Sequence, residues 1–280
     1  MSGKRWQLDD IAWGDFDPAQ VDPDILQVVK AAAMVEYNGG DYATYLCNVF
    51  ADDPEFQSEA REWAEEECQH GAALGRWAEM ADPDFDFAAC FERFVAGFRP
   101  DVEASESIRG SRSGELVARC IVEVGTSGYY TALAEATEEP VLKEICKRIA
   151  ADELRHYKLF YSYLRRYLEV EQISRLRRLM IAFARINESE DDELAFAFYA
   201  ANASESQDYD RKRWAQEYMK RAFSYYQPKH VERAILMTWK AAGLDPQGTS
   251  AKMASRAAYW LLKQRTRGYD PANSQQQQAA

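Results

Sequence analysis

Paired cysteines, membrane-length apolar runs and signal-peptide features are all lacking in this chain of 280 residues. The cysteines are odd in number and form no Cys-x-x-Cys pair, which argues against a disulfide framework and against a thiolate zinc site; they are Cys47, Cys68, Cys90, Cys120 and Cys146. No apolar run reaches the roughly 18 residues that cross a bilayer. The N-terminal residues have no apolar stretch of the signal-peptide kind. We therefore expect no membrane span and a cytoplasmic location.

Stretches that alternate β-branched and polar residues are also absent, whereas helical periodicity is found in nearly every segment before Gly268. This pattern predicts an all-α protein. Helices are predicted at about 24–50, 54–81, 84–98, 113–138 and 140–170, with three or four more in 172–265. We expect one domain over 1–268, in which a four-helix core at about 24–170 is surrounded by the later helices. The glutamine-rich residues 269–280 are predicted to be a disordered tail.

The charge of the chain is unevenly distributed. Its net charge is −12. Residues 1–142 contain 10 Lys and Arg against 29 Asp and Glu, whereas residues 143–280 contain 24 against 17. An acidic protein of this kind is not expected to bind nucleic acid. The basic second half could bind an acidic partner, or it could be a solvated helix surface.

Two copies of a Glu-x-x-His motif stand out, because the chain has only three histidines. Glu67 and His70 form one copy, and Glu153 and His156 form the other. Residues three apart lie on the same face of a helix, so each motif points a carboxylate and an imidazole in one direction. The third histidine, His230, follows Pro228 without such a context and is predicted to be a surface or capping residue.

Each motif is preceded by a long predicted helix with a glutamate on its apolar side. Glu36 lies 31 residues before Glu67, and Glu123 lies 30 residues before Glu153. Two helical pairs of this kind would bring four carboxylates and two imidazoles to the middle of a bundle. Buried carboxylates repel one another and are costly to desolvate, whereas two divalent cations would cancel their charge. Carboxylate and imidazole ligands favour iron, with manganese as an alternative, and the duplicated pattern is typical of di-metal bundles.

Two segments of the sequence resemble a known family. "WAEEECQHG" is similar to the Trp-x-x-Glu-Glu-Asn-Arg-His-Gly signature of the soluble acyl-ACP desaturases, and "ICKRIAADELRH" is similar to their second ligand segment. The resemblance covers about residues 25–168. It implies a ferritin-like four-helix bundle with a di-metal centre plus additional C-terminal helices. The implied ligands are Glu36, Glu67, His70, Glu123, Glu153 and His156, with Glu67 and Glu123, or Glu36 and Glu153, bridging or terminal according to redox state.

Three further site residues are implied by the same resemblance. Asp152 would accept a hydrogen bond from a ligand histidine and fix its tautomer. Trp63 matches a tryptophan beside the metal site, and Thr126 matches a threonine that would relay protons on the oxygen-binding face. Thr126 could instead bond back to the preceding helical turn. The sequence departs from the family at Cys68-Gln69, where Asn-Arg is usual, and at Leu154 and Tyr157, which replace Lys and Glu.

The activity implied is O2-dependent desaturation of a long acyl group on acyl carrier protein, with two iron ions, a ferredoxin-type electron donor and a possible homodimer. Three alternatives remain open at the sequence level. One is a di-iron hydroxylase or N-oxygenase acting on another substrate. The second is an iron-handling or peroxide-handling protein of the ferritin or rubrerythrin kind. The third is a radical-generating protein like the small subunit of ribonucleotide reductase.

Overall fold

The computed structural model describes residues 5–98, 101–188, 193–204 and 207–267. All regular elements in these residues are helical, so the predicted all-α class is confirmed. The predicted tail at 269–280 lies outside the described residues. After three 3-10 turns (Leu8–Asp10, Trp13–Asp15, Pro18–Gln20), the α-helices are α1 Pro23–Tyr37, α2 Gly39–Val49, α3 Pro54–Ala81, α4 Phe87–Gly97, α5 Arg112–Ala136, α6 Pro140–Glu171, α7 Arg175–Glu188, α8 Glu193–Asn202, α9 Arg211–Ser224, α10 Pro228–Ala242 and α11 Thr249–Arg265.

The starts of the long helices are determined locally by capping residues. Asp22 accepts hydrogen bonds from the first backbone N–H groups of α1, and Asp53 does the same for α3. Glu139 caps α6, and Ser111 caps α5. In α1, α3 and α6 a proline follows the cap, where its missing N–H costs nothing. These signals set where each helix begins and therefore which face each later residue occupies.

The predicted single helix at about 24–50 is two helices, α1 and α2, which meet at Asn38. A side chain on Gly39 would place its Cβ 2.6 Å from Cβ of Glu67 on α3, and one on Gly71 would lie 2.4 Å from the backbone N of Tyr37. The irregular turn thus brings backbone against backbone where α1 and α2 meet α3. Only glycine permits that approach at these two positions.

The helices that carry the motifs pack as two pairs. Helix α1 lies against α3, α5 lies against α6, and contacts between α3 and α6 join the pairs. Apolar residues above and below the middle of this bundle form two large buried clusters, which include Val28, Met34 and Leu74 on one side and Leu116, Phe160 and Leu164 on the other. The middle layer between these clusters is polar.

The later helices cover this bundle. Helix α8 packs against α1, and α7 and α10 pack against α5. The described residues form five helices after α6, not the three or four predicted, because the chain breaks once more between α8 and α9. The missed signal is Asp210, which accepts a hydrogen bond from the N–H of Arg213 and caps α9. Among the described helices, none has the length and apolar character that a membrane crossing requires.

Candidate metal centre

The six residues singled out in the sequence converge at the middle of the bundle. Helix α1 contributes Glu36, α5 contributes Glu123, and α3 and α6 each contribute the glutamate and histidine of one motif. All six side chains belong to buried residues, none more than 7% exposed. The i, i+3 spacing therefore does place each motif on an inward face, as the helical pattern predicted.

These residues form two overlapping groups that could each hold a metal ion. Potential ligand atoms of Glu36, Glu67, His70 and Glu153 lie within 4.8 Å of one another, and so do those of Glu67, Glu123, Glu153 and His156. Glu67 and Glu153 belong to both groups, whereas Glu36 and Glu123 each belong to one. The expectation that Glu67 and Glu123, or Glu36 and Glu153, are bridging or terminal according to redox state stays a prediction. The two halves of the site are related by an approximate twofold repeat, which makes the two Glu-x-x-His glutamates equivalent.

Both imidazoles present the same nitrogen to the centre. Nδ1 of His70 lies 3.5 Å from Oε2 of Glu36 and 3.3 Å from Oε1 of Glu153. Nδ1 of His156 lies 3.0 Å from Oε1 of Glu67 and 3.5 Å from Oε2 of Glu123. The ring centroids are 5.9 Å apart. Each half of the centre thus has one imidazole nitrogen facing carboxylate oxygens.

The outward nitrogens bind carboxylates from the opposite half. Nε2 of His70 is 3.1 Å from Oδ2 of Asp152, and Nε2 of His156 is 2.9 Å from Oε2 of Glu66. Arg155 donates to both of these carboxylates. A carboxylate on Nε2 keeps that nitrogen protonated and leaves the Nδ1 lone pair free for a metal. Asp152 was predicted for this role, whereas Glu66 was missed, although it precedes Glu67 as Asp152 precedes Glu153.

Two tryptophans flank the histidines. Trp63 lies edge-on to His156, with the ring centroids 6.5 Å apart, beside the centre as predicted. Trp6 is stacked on His70 at 6.0 Å and donates its indole N–H to Asp152. Trp6 was not foreseen, because it lies in an irregular segment with no periodicity to show which way it faces.

Two hydroxyl groups contact the carboxylates directly. Oγ1 of Thr126 is 2.5 Å from Oε2 of Glu153, and it also lies within reach of the backbone carbonyls of Val122 and Glu123. Because a hydroxyl has one proton, Thr126 can donate to Glu153 or to its own helix, but not to both at once. The hydroxyl of Tyr130 donates to Oε1 of Glu36 at 2.6 Å.

The inward polar atoms face one another but form no hydrogen bond of acceptable geometry within the described residues. Both oxygens of Glu123 and Nδ1 of both histidines are buried without a hydrogen bond, as are Oε2 of Glu36, Oε1 of Glu67 and Oε1 of Glu153. Leaving so many buried polar atoms unpaired is costly. Divalent cations bound to these oxygens and nitrogens would remove that cost, and the donor set suits iron or manganese. The residues therefore fit a pair of metal ions.

The pKa shifts of the carboxyl and imidazole groups at the centre are consistent with a site for metal ions. Burial and the neighbouring carboxylates raise the pKa of Glu67 well above its ordinary value, and burial with the charges of Glu36 and Glu123 raises the pKa of Glu153 to about 8. Burial alone would lower the pKa of His70 and of His156, but the surrounding carboxylates raise both. Without metal, the centre therefore retains protons at neutral pH. Bound cations would displace them.

The outer carboxylates behave in the opposite way. Burial works against ionisation of Glu66 and Asp152, but hydrogen bonds from the histidines and from Arg155 lower the pKa of each to about 2. Both groups are therefore ionised at neutral pH and accept hydrogen bonds from the ligand histidines throughout the physiological range.

A scan of the chain against protein-family models finds no match, and a search of curated proteins finds no similar sequence.

Proposed function

We propose that this protein is an O2-dependent di-iron oxidase of the ferritin-like kind. The observation that supports this proposal is the pair of overlapping, buried groups that share Glu67 and Glu153 and have unpartnered inward atoms. Two bound iron ions would supply the electrons with which O2 is first reduced. Manganese could occupy the same ligands.

The protein's own residues would meet three further requirements of oxygen chemistry at this centre. The apolar clusters on either side of the centre exclude bulk water, which strengthens electrostatic interactions inside it. The outer carboxylates Asp152 and Glu66 keep His70 and His156 oriented. Thr126 can hold a proton at Oε2 of Glu153 and release it when its hydroxyl turns towards the carbonyl of Glu123 or Val122. Such a group suits the proton delivery that oxygen reduction needs.

For the substrate, we propose a long acyl chain that loses two hydrogens from adjacent methylenes. The two ligand segments that resemble the acyl-ACP desaturases support this choice, and the same resemblance supports acyl carrier protein as carrier and a ferredoxin-type protein as electron donor. The excess of Lys and Arg in residues 143–280 would suit both acidic partners. The homodimer expected from the resemblance belongs to this proposal as well.

The proposal is tested by incubating iron-loaded protein with an acyl-ACP pool, a reducing system and O2, and by measuring the mass of each acyl chain. Loss of two hydrogen atoms from one chain length is expected. Gain of one oxygen atom would indicate the hydroxylase alternative instead. If two irons bind per protein but no acyl chain changes in mass, the proposed substrate is refuted, whereas the proposed metal centre is not. Iron uptake far above two per chain would favour the storage alternative.

A further inference from the structure

Most of the exposed large apolar side chains of this protein lie on two of its late helices. The described residues contain nine such side chains, and six of them are on α7 and α11. The six, which we call the outer apolar face, are Leu176, Met180, Phe183, Met253, Trp260 and Leu261. Single exposed apolar residues are ordinary, but a concentration of them on one part of a surface is typical of an interaction site.

On each helix these side chains form a stripe. Leu176, Met180 and Phe183 follow one another at intervals of four and three residues, and Met253 and Trp260 are seven residues apart. This spacing places each set along one side of its helix. The inner sides of both helices belong to buried apolar clusters. Each helix thus packs on the protein through one side and exposes apolar side chains on another.

Contacts through α10 hold the two helices in one layer. Helices α7 and α11 both pack against α10, and α5 lies beneath α7 and α10. The ring of Phe183 is 6.5 Å from that of Trp239 on α10, and the indole N–H of Trp239 donates to Oγ of Ser250 on α11 at 3.2 Å. Phe183 is itself 49% exposed. The stripe of α7 therefore lies close to the first turn of α11, in which Ser250 precedes Met253 by three residues.

The same layer is basic, in contrast to the acidic protein as a whole. Helices α7, α10 and α11 contain 11 Lys and Arg against two Glu. Arg175, Arg177, Lys252 and Arg256 are exposed within three residues of members of the outer apolar face, and no carboxylate in the described part of the chain lies at ion-pair distance from them. Burial lowers the pKa of Arg178, and the like charge of Arg175 lowers it further. The positive charge of this layer is therefore not neutralised by the protein itself.

The combination of charge and protruding apolar side chains indicates the chemistry of the partner. A second copy bound through the same face of both subunits would bring like charges together, which is unfavourable. Leu176, Met180, Met253 and Trp260 are each 60% or more exposed, so they protrude and do not line a groove of the kind that holds a partner helix. Lys and Arg around protruding Leu, Phe and Trp are typical of helices that lie in the interface of an anionic bilayer.

We propose that the outer apolar face binds the surface of a bilayer that contains anionic lipids. Its aromatic and aliphatic side chains would enter the boundary between headgroups and acyl chains, and the surrounding Lys and Arg would contact lipid phosphates. The metal centre is not part of this surface, and the inference does not depend on the proposed oxidase function. Basic residues on α6 and α9 remain available to the acidic protein partners proposed above.

The test measures binding of the full-length protein to sedimented lipid vesicles. Vesicles of phosphatidylcholine with about one third phosphatidylglycerol are compared with vesicles of phosphatidylcholine alone, and we expect binding to the anionic vesicles to be about tenfold tighter or more. Two double variants remove exposed charges from one helix each. They are Arg175→Gln with Arg177→Gln on α7, and Lys252→Gln with Arg256→Gln on α11. Each should weaken binding by about tenfold or more, because two charges attracted to the anionic surface are lost.

The matched control removes two exposed charges outside this layer. Arg61→Gln with Lys147→Gln changes exposed residues on α3 and α6. This variant has the same change in net charge as each of the other two, and it should bind anionic vesicles as the unchanged protein does. The comparison separates a local surface from a general effect of net charge.

Trp260 provides a second readout, which reports insertion of the face. It is 60% exposed, whereas the other six tryptophans are buried or half-buried. On anionic vesicles we expect its fluorescence to shift to shorter wavelength and to be quenched by brominated acyl chains. Trp260→Phe should lose both signals and retain most of the binding, because a phenyl ring can still enter the interface.

Equal binding to both kinds of vesicle, or binding to neither, would overturn the proposal. Weakening by the variant of one helix but not by that of the other would also overturn it, because the face requires both helices. Binding that is abolished by salt and leaves the Trp260 fluorescence unchanged would indicate an acidic protein as the partner instead. Self-association that the same variants abolish, without vesicle binding, would indicate a second copy. Loss of metal with vesicle binding retained would count against the metal centre but not against this surface.

Discussion

The indole N–H of Trp6 donates a 2.6 Å hydrogen bond to Oδ2 of Asp152, the oxygen that also contacts Nε2 of His70. The two residues are 146 positions apart. An irregular N-terminal segment is thereby tied to a predicted metal ligand through one carboxylate. The backbone carbonyl of Trp6 also accepts from Gln69, the neighbour of His70. The lead-in segment is thus part of the support of the centre.

Replacing Trp6 by phenylalanine keeps a ring beside His70 but removes the donor to Asp152. We expect metal affinity to fall by about tenfold, as for other partners of metal-bound histidines, and the free energy of unfolding to fall by about 1–3 kcal/mol. Metal competition and urea unfolding measure the two effects. Trp13→Phe is the control, because its N–H donates to the carbonyl of Leu8 instead. Equal loss of metal affinity in both variants would contradict the prediction.

The shared carboxylates should matter more for metal content than the unshared ones. Glu67→Gln and Glu153→Gln each remove a ligand from both groups, so we expect both variants to lose most of both metals. Glu36→Gln and Glu123→Gln each affect one group, and we expect them to retain about one metal per chain. Metal analysis after gel filtration gives the number of metal ions per chain. Glu115→Gln, at a buried carboxylate outside the two groups, should retain two. Identical ratios in the four ligand variants would refute the shared arrangement.

Thr126→Val is close in shape and removes the hydroxyl that lies 2.5 Å from Glu153. If Thr126 delivers protons, the variant should bind two metals normally, and its yield of oxidised product per O2 consumed should fall by about 10²-fold or more. Thr126→Ser should restore most of that yield. Thr131→Val is matched to it, because Thr131, five residues after Thr126 on α5, donates to the carbonyl of Ser127 one turn before it. A yield that is the same in both valine variants would leave Thr126 with a helical role only.

The affinity for metal should rise with pH. In the metal-free centre the pKa of Glu153 is about 8, and those of Glu67, His70 and His156 are also raised. Metal must displace these protons, so each proton released at neutral pH adds about tenfold in affinity per pH unit. Competition titrations with Mn²⁺ at pH 6, 7 and 8 would measure the slope, and fluorescence of a weakly buffered pH dye would detect the protons. A metal affinity that does not change with pH would contradict the prediction that the metal-free centre is protonated.

The same shifts determine how metal-free stability depends on pH. The folded-state pKa of Glu153 is raised, so the stability it contributes is fully present below its ordinary value of 4.5 and is lost as pH rises through about 8. We expect Tm of the metal-free protein to fall between pH 5 and pH 8, and Tm of the metal-loaded protein to fall much less. Calorimetric scans of both forms test this. At the acid end, Glu66 and Asp152 stabilise the fold above their ordinary values, and that contribution is lost as pH falls towards about 2.

Gly71→Ala should perturb the crossing of α1 and α3. The new Cβ would lie 2.4 Å from the backbone N of Tyr37 and 2.7 Å from the carbonyl oxygen of Ala33, both of which are backbone atoms that cannot turn away. We expect a loss of about 1–3 kcal/mol or more in unfolding free energy together with weaker metal binding, because His70 is adjacent. Gly125→Ala is the control, with no atom within 4 Å of the new Cβ. It should be neutral or stabilise by up to about 1 kcal/mol. Similar stability of the two variants would argue against the close approach.

Much of the helical framework was determined by local signals. Asp22, Asp53 and Glu139 precede prolines that start α1, α3 and α6, so their boundaries follow from capping and from the proline ring. The i, i+3 spacing of Glu67 with His70, and of Glu153 with His156, sets a shared face before any packing occurs. Glu36 precedes Glu67 by nearly the same number of residues as Glu123 precedes Glu153, which indicates that the two helical pairs are repeats of one unit. Fold class and the six converging residues could therefore be predicted.

Contacts between segments that are far apart in the chain were decided only by the tertiary structure. Glu67 and Glu153 are the shared carboxylates because α3 and α6 face each other across the pseudo-twofold, a relation that spacing along one helix cannot specify. Trp6 reaches Asp152 from a segment without periodicity, and Gly39, directly after the break at Asn38, lies close against Glu67 on α3.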